Sequence, residues 1–350
     1  TGTKVGLGLD LAMKAGLAVR DLEFVAWAPL AVKGTNVVLP IGMLADGATL
    51  HHSNGTPLDV ELTADSTKLS EAIGSKGDVV LDARDMGESS VWWSQTFELV
   101  LQRLGINMKK QTVSVQPRVA TTIGGIATDE HGRAVIGRWS RWFTGLYAAG
   151  DSACSGLHGA GLIAGNRLLD AVAGGAAAGE HAAEHAKKTS HTGRATIEAA
   201  LGAAEADLDF DMAGAEEGPV QRVGPLYSKL SDIMQSNMGH MKDATNLQSA
   251  LDSLEALADS ASKVHLDDSG RLYNTNLLES LRLKAGIRPA IASTRSALSR
   301  TESRGTHQRS DFEEEDAEQL HHTLVDSEGN LSTLAIRKGA SGTWTLAPGE

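Results

Sequence analysis

One stretch constrains the fold more than any other. It runs Gly145-Leu146-Tyr147-Ala148-Ala149-Gly150-Asp151, through Gly156-Leu157-His158-Gly159-Ala160-Gly161, to Asn166-Arg167-Leu168-Leu169-Asp170. A short apolar run ends in Gly-Asp, a glycine-rich turn follows, and an alanine-rich segment from about 166 to 187 reads as a helix. Strand, Gly-rich turn and helix start, in that order, let α/β proteins cradle an anionic or electron-rich ligand. The first turn of the helix offers unpaired N–H donors and the positive end of the macrodipole. The same order also serves as a plain packing unit in which glycine permits close backbone approach.

The 350 residues suit about two domains of roughly 150 residues each. A hydrophobic fraction of 41% with 22% charged residues is ample for a packed core. The net charge of −12 argues against a nucleic-acid partner or an anionic membrane surface. No apolar run approaches the roughly 18 residues of a spanning helix, so no direct membrane insertion is expected. The single cysteine, Cys154, excludes an internal disulfide framework and a Cys-ligated iron–sulfur or metal site. His51-His52 point apart on a strand and have no third ligand at sensible spacing, so no metal site is expected there either.

Along the chain, residues 5–16 read as a Gly-rich entry to a helix that stops at Gly16. Asp21-Leu-Glu-Phe-Val-Ala-Trp-Ala-Pro29 reads as a strand. From about 30 to 117, short β-like runs at Val37-Val38-Leu39 and Val79-Val80-Leu81 alternate with turns and a helix around 91–104. From about 190 to 303 the period becomes helical. Leu226, Leu230, Ile233 and Met234 form one stripe, Leu247, Leu251, Leu254 and Leu257 a second, and Leu277, Leu278 and Leu281 a third, all expected to face a bundle core. Glu313-Glu314-Glu315-Asp316 reads as solvated surface, and Trp139 and Trp142 as packing residues before the Gly145 strand.

Taken in order, these segments resemble the succinate dehydrogenase and fumarate reductase flavoprotein family. The Gly145–Asp170 stretch resembles its flavin motif, G-L-Y-A-A-G-E followed by V-H-G-A-N-R-L-G-G-N-S-L-L-D. Gly124-Gly125-Ile126 resembles its N-M-G-G-I turn, and Tyr273-Asn-Thr-Asn-Leu-Leu-Glu-Ser-Leu-Arg-Leu283 its F-N-T-D-L-I-E-T-L-E-L. Residues 297–312 resemble its A-x-x-R-x-E-S-R-G-A-H-x-R-x-D-F-P. The resemblance implies an α/β plus all-α chain. A partial flavin-binding domain (1–29 and 118–189) carries an inserted α+β capping domain (30–117). A helical bundle (190–310) and a small β C-terminal appendage (311–350) follow. It implies FAD, held by Gly150, Asp151, Asn166, Arg167, Leu168 and Leu169. Asp151 takes the ribityl-binding place of the family's Glu, and the Arg167 and Leu168 N–H groups face the flavin pyrimidine edge. It also implies an iron–sulfur electron-transfer subunit as partner and a cytoplasmic location, peripheral on the inner membrane through partner subunits.

The departures from the family are as informative. Its N-terminal third, with the G-x-G-x-x-G that opens a βαβ unit, has no counterpart here. The start at Thr1-Gly2-Thr3, without Met or a signal-peptide pattern, is expected of a fragment or processed form. The family's two dicarboxylate-binding histidines correspond to Ala28 and Ala120, its threonine to Ile41 and its arginine to Leu162. Its proton-shuttle arginine has no counterpart, because no arginine occurs between Arg20 and Arg84. Each loss removes a charge-assisted contact worth about 1.5–3 kcal/mol. The expected function is therefore an FAD-dependent oxidoreductase with an altered, uncharged or differently charged substrate. Arg118 and His158 are the candidate substrate contacts, and no residue is assigned as catalytic. Two alternatives are a degenerate flavoprotein kept for assembly and a fragment of an L-aspartate oxidase-like flavoenzyme.

Overall fold

A computed structural model describes residues 6–60, 66–136, 141–163, 165–213, 221–266, 270, 272–338 and 344–346. The chain enters through a short helix, α1 (Leu7–Lys14), which buries Leu9, Ala12 and Met13 and ends in a left-handed turn at Gly16. Two strands follow, β1 (Val19–Arg20) and β2 (Val25–Val32), the second buried at all but one position.

β2 is the bridge between two layers. It pairs antiparallel with the long β5 (Val113–Thr122), and β4 (Val79–Asp82) and β3 (Thr49–His52) extend the sheet in the order β2-β5-β4-β3. Helices α2 (Gly42–Ala45), α3 (Ser66–Lys76) and α4 (Ser94–Leu104) pack on it around Leu30, Met43, Leu69, Leu81 and Val100. The expected β run at 37–39 is only an isolated bridge between Ala31 and Val38, because the chain turns at 33–36 before a ladder can form. Register shifts between Ala26 and Trp27 and between Ala28 and Ala31 interrupt the β2–β5 ladder.

β10 (Met241–Lys242) pairs in parallel with β11 (Gln308–Arg309), and the second sheet holds, in order, β14 (Trp344–Leu346), β13 (Leu331–Lys338), β12 (His321–Val325), β1, β6 (Gly125–Ala127) and β9 (Ala153–Cys154). β6 and β9 are central to the α/β half, whereas β12, β13 and β14 come from the C-terminus. Two-residue β1 lies between β12 and β6, with Val19 opposite both Val325 and Ile126. The C-terminal β segment thus completes a sheet begun more than 300 residues earlier; so short a strand needs a partner on each side to be stable. Gly125 is required for the parallel β6–β9 approach, since a Cβ there would lie 2.7 Å from the Ser152 carbonyl oxygen. A separate hairpin joins β7 (Arg133–Ile136) and β8 (Arg141–Tyr147), and β8 delivers the chain to the Gly-rich turn.

Beyond that turn the chain is helical: α5 (Asn166–Lys188), α6 (Arg194–Ala213), α7 (Val223–Asn237), α8 (Ala244–Ala261) and α9 (Thr275–Ser299). Asp243 caps α8 and Asn274 caps α9, each accepting from a backbone N–H three residues on. Leu226, Ile233, Leu254, Leu257, Leu277 and Leu283 form the shared core of α7, α8 and α9. The expected third stripe is rotated: Leu277 is buried but Leu278 and Leu281 are exposed, and Leu283 and Ile287 take the core positions. α5 buries only Ala178 among its described side chains, which leaves Leu168, Leu169 and Val172 exposed.

Candidate functional site

The three parts meet around a cleft of about 1850 Å³. Its walls are the start of α1 (6–9), Val25 and Trp27 of β2, β5 from 115 to 122, the turn at Gly150–Ser152, and the start of α5. Tyr227, Leu230 and Met234 of α7, the turn at 238–240 and one face of α9 complete it. Two leucine-stripe positions expected in the core, Leu230 and Met234, therefore face the cleft in part.

The sequence-derived flavin residues are mostly brought together here. Gly150, Asp151, Arg167 and Leu168 line the cleft beside Gly165, whereas Asn166 and Leu169 lie in the same helical turn without lining it. Gly165 is the N-cap of α5 and, as a glycine, contributes no side-chain cap, and the positive end of this 23-residue helix lies at the cleft. Arg167, part of the cleft lining, folds back onto Asp151. It donates to Asp151 through Nε at 2.7 Å and through Nη2 at 2.5 Å. The carboxylate in turn raises the Arg167 pKa.

The substrate candidates are placed apart. Arg118, on β5, lines the cleft, and its Nη1 donates to the Thr35 carbonyl at 2.6 Å. His158 does not line it; its Nε2 lies 3.4 Å from Oδ2 of Asp170 on α5. Leu162 packs with Phe24, Ala26, Ile123 and Ala160 in a small apolar cluster, and Ile41 packs against the core of the β2-β5-β4-β3 sheet and its helices. Trp142 stacks edge-on against Tyr147, His181 and His185 on the outer side of α5; Trp139 lies outside the described residues.

Two cleft residues had no sequence signal of their own. Trp27 and His240 meet edge to face with ring centroids 5.8 Å apart, and neither Trp27 Nε1 nor His240 Nε2 finds a partner among the described residues. Burial, reinforced by the neighbouring Lys242 ammonium, pushes His240 down to about 4, against a hydrogen bond to the Thr67 backbone that favours its charge. Thr67 belongs to α3, so His240 links the turn after α7 to the helix that packs on the β2-β5-β4-β3 sheet. Between pH 4 and 6.5 the unfolded chain binds a proton at this position that the folded chain does not. This contribution to stability is complete above pH 6.5 and disappears as the pH falls toward 4. His307, fully buried and also held well below its usual value by desolvation, acts in the same direction. His240→Gln is expected to reduce the loss of stability between pH 7 and pH 4 by up to ~3 kcal/mol, read by urea unfolding across that range. An unchanged pH slope would show that His240 is not desolvated as described.

Comparison with known proteins assigns this architecture. Residues 2–168 match the FAD binding domain family, and residues 227–348 match the fumarate reductase flavoprotein C-terminal family. The chain belongs to the fumarate reductase and succinate dehydrogenase flavoprotein family. The flavoprotein subunit of Escherichia coli fumarate reductase is 30% identical over 94% of this chain and 59% of its own length. The Coxiella burnetii succinate dehydrogenase flavoprotein subunit is 28% identical over 99% of this chain and 62% of its own. A quinol–fumarate reductase solved with menaquinol molecules is 27% identical and superposes with a TM-score of 0.84 over 97% of this chain and 63% of that one. The chain spans about three fifths of the length of these relatives.

The cofactor of this family is FAD. The residues present suit it: a helix N-terminus that starts at a glycine N-cap, a left-handed glycine at 150 packed against Ala171, and the Asp151 carboxylate line the cleft together. A carboxylate offers about four acceptor directions, so the Arg167 fork orients Asp151 without by itself saturating it. The shared fold was legible from the motifs; the Arg167–Asp151 pair was not, because it depends on how the Gly-rich turn folds back on α5.

Proposed function

We propose that this chain forms the flavin-facing part of an FAD-dependent oxidoreductase whose substrate carries at most one carboxylate. The observation that supports this most directly is the fate of the cations lining the cleft. Lys33 pairs with Asp78 at 3.3 Å, Arg167 with Asp151, and Arg282 with Glu279 at 2.6 Å. His240 is neutral at pH 7. Only Arg118, bonded to a neutral carbonyl, keeps a charge for a ligand among the described lining residues whose ion pairs are known. A dicarboxylate needs compensation at both ends, and burying either end unpaired costs several kcal/mol.

When bound, FAD supplies the hydride chemistry. The protein side of the reaction is positional. The α5 N-terminus stabilises negative charge at the edge of the ligand nearest Arg167 and Leu168, and Asp151 accepts hydrogen bonds from its hydroxyls. Arg118 fixes one anionic substrate group, and the apolar residues at the positions of the family's clamps favour an uncharged remainder. The relatives are named as subunits of larger enzymes, and pairing with an iron–sulfur electron-transfer subunit, at a membrane reached through that partner, belongs to the same reading. No helix among the described residues is long and apolar enough to cross a membrane.

Titration with FAD is expected to quench flavin fluorescence, and Asp151→Ala to weaken that binding by roughly tenfold, about the value of one charge-assisted hydrogen bond. The chemically reduced complex is then offered crotonate and fumarate. Faster reoxidation by fumarate would overturn the single-carboxylate assignment. A second reading, a degenerate flavoprotein that serves assembly, is favoured by the Arg167 side chain closing on Asp151. It predicts no FAD uptake by the chain and restored uptake in Arg167→Ser.

A further inference from the structure

One polar spot interrupts an apolar side of the cleft. Val25 of β2, Leu230 and Met234 of α7 and Met238 of the turn after it supply hydrocarbon to that lining. Trp27 and His240 belong to the same lining. Trp27 is 8% exposed, His240 is half-buried, and their rings meet edge to face. Trp27 Nε1 and His240 Nε2 are both buried atoms without a hydrogen-bond partner among the described residues. A buried donor or acceptor left open carries its desolvation cost uncompensated, so native proteins rarely keep two of them in touching rings.

Both rings are held in place. The β2–β5 ladder shifts register between Ala26 and Trp27, and such a shift re-aims the side chain beside it. His240 is fixed by its hydrogen bond to the Thr67 backbone. That bond favours the charged ring, so the imidazole donates it to the Thr67 carbonyl. With Nε2 unpartnered, the donor is Nδ1–H. The neutral ring therefore keeps its lone pair on Nε2. Lys242, 1% exposed and two residues on, opposes a second proton there. The wall thus offers one N–H donor and one lone-pair acceptor in adjacent rings, among apolar neighbours, as small-molecule sites do where they fix orientation.

Few groups match both atoms. A hydroxyl accepts and donates through one oxygen. A carboxylate only accepts, so it would satisfy Trp27 and confront the His240 lone pair. An ether or ketone oxygen leaves His240 open for the same reason, and an ammonium leaves Trp27 open. We propose that the uncharged part of the substrate carries a hydroxyl group, which accepts from Trp27 Nε1 and donates to His240 Nε2. This assignment rests on the reading of the cleft as the substrate's site and extends it. The single-carboxylate reading says which charge the substrate lacks, and the Trp27–His240 pair says which neutral group takes that place. Both residues set specificity and take no part in making or breaking bonds.

The experiment is a calorimetric titration of the whole chain, with FAD and without it, using cinnamate, 4-hydroxycinnamate and 4-carboxycinnamate. The three share one carboxylate and one flat apolar body, and differ in carrying hydrogen, a neutral hydroxyl or a second carboxylate at the far end. 4-Hydroxycinnamate is expected to bind about tenfold more tightly than cinnamate, and 4-carboxycinnamate more weakly than either. Trp27→Phe removes the N–H and keeps an aromatic ring; it should cut the hydroxyl preference to about threefold or less, as should His240→Phe. Trp27→Phe is the milder change, so the test stands if His240→Phe does not fold. Equal binding of cinnamate and 4-hydroxycinnamate, no saturable binding of any of the three, or a preference unmoved by Trp27→Phe would each overturn the proposal. Faster reoxidation by fumarate than by crotonate, with the hydroxyl preference intact, would instead overturn the single-carboxylate reading and leave this pair's role standing.

Discussion

Arg300→Leu is expected to remove about 3–5 kcal/mol of stability, the largest effect of any single substitution described. The Arg300 guanidinium is fully buried; Nε donates to Glu23 at 2.9 Å and Nη1 to Glu302 at 2.8 Å. It also donates to the Gln319 and His321 carbonyls and to the Thr323 hydroxyl. One side chain thus ties the end of α9 to the segment between β1 and β2 and to the start of β12. Removing it strands Glu23, whose pKa burial already raises and which has one oxygen without a partner among the described residues. A typical domain has only about 5–15 kcal/mol of stability, so much of the total is at stake. The Arg300→Leu/Glu23→Leu pair should lose less than Arg300→Leu alone, because no unpaired carboxylate then remains at 23. Urea unfolding of the three proteins measures this. A loss below ~1 kcal/mol for Arg300→Leu would show that the network does not hold the C-terminal strands.

Gly305→Ala is expected to cost about 3 kcal/mol or more, well above an ordinary glycine-to-alanine change. Gly305 has φ +53°, which alone costs an L-residue about 1–2 kcal/mol. Steric contact adds the greater share: a Cβ there would lie 2.2 Å from the Ala160 carbonyl oxygen and 2.6 Å from its carbon. Both are backbone atoms and cannot rotate away. The loop must retreat, and the Thr306 N–H bond to the Ala160 carbonyl, 2.8 Å long, is lost with it. Gly34→Ala is the control, because φ is +74° there but nothing lies within 4 Å of the added carbon. It should cost only what the left-handed backbone costs. If the two variants unfold at the same urea concentration, the close approach of the 303–307 loop to the Gly-rich turn is not what fixes that turn.

These two cases separate what can be read from a sequence and what cannot. The Ser303-Arg-Gly-Thr-His307 loop was legible as a family segment, and so was the Gly-rich turn at 156–161. Their contact was not, since nothing local at 160 or 305 specifies the other. His240 was similarly hidden, as a lone histidine after a helix, and only packing against Trp27 and α3 makes it a buried neutral ring. In the third stripe of α9, period alone misplaced Leu278 and Leu281, because a three-residue sample of a 25-residue helix cannot fix which way the helix is rotated.

By itself the sequence determined most of the elements and their order, the run at 37–39 excepted, and its family motifs carried the cofactor class. Hydrophobic period, glycine placement and capping residues act over a few positions and survive in any tertiary setting. It also leaves the stretch between Arg20 and Arg84 without an arginine, since a missing side chain is missing in every conformation. Only the tertiary structure decided that β12 pairs with β1, that Arg167 closes on Asp151, and that Arg118 and His158 do not share a site. Those outcomes depend on which distant surfaces are buried against each other, and the energy that selects them comes from desolvation and packing, not from local backbone preference.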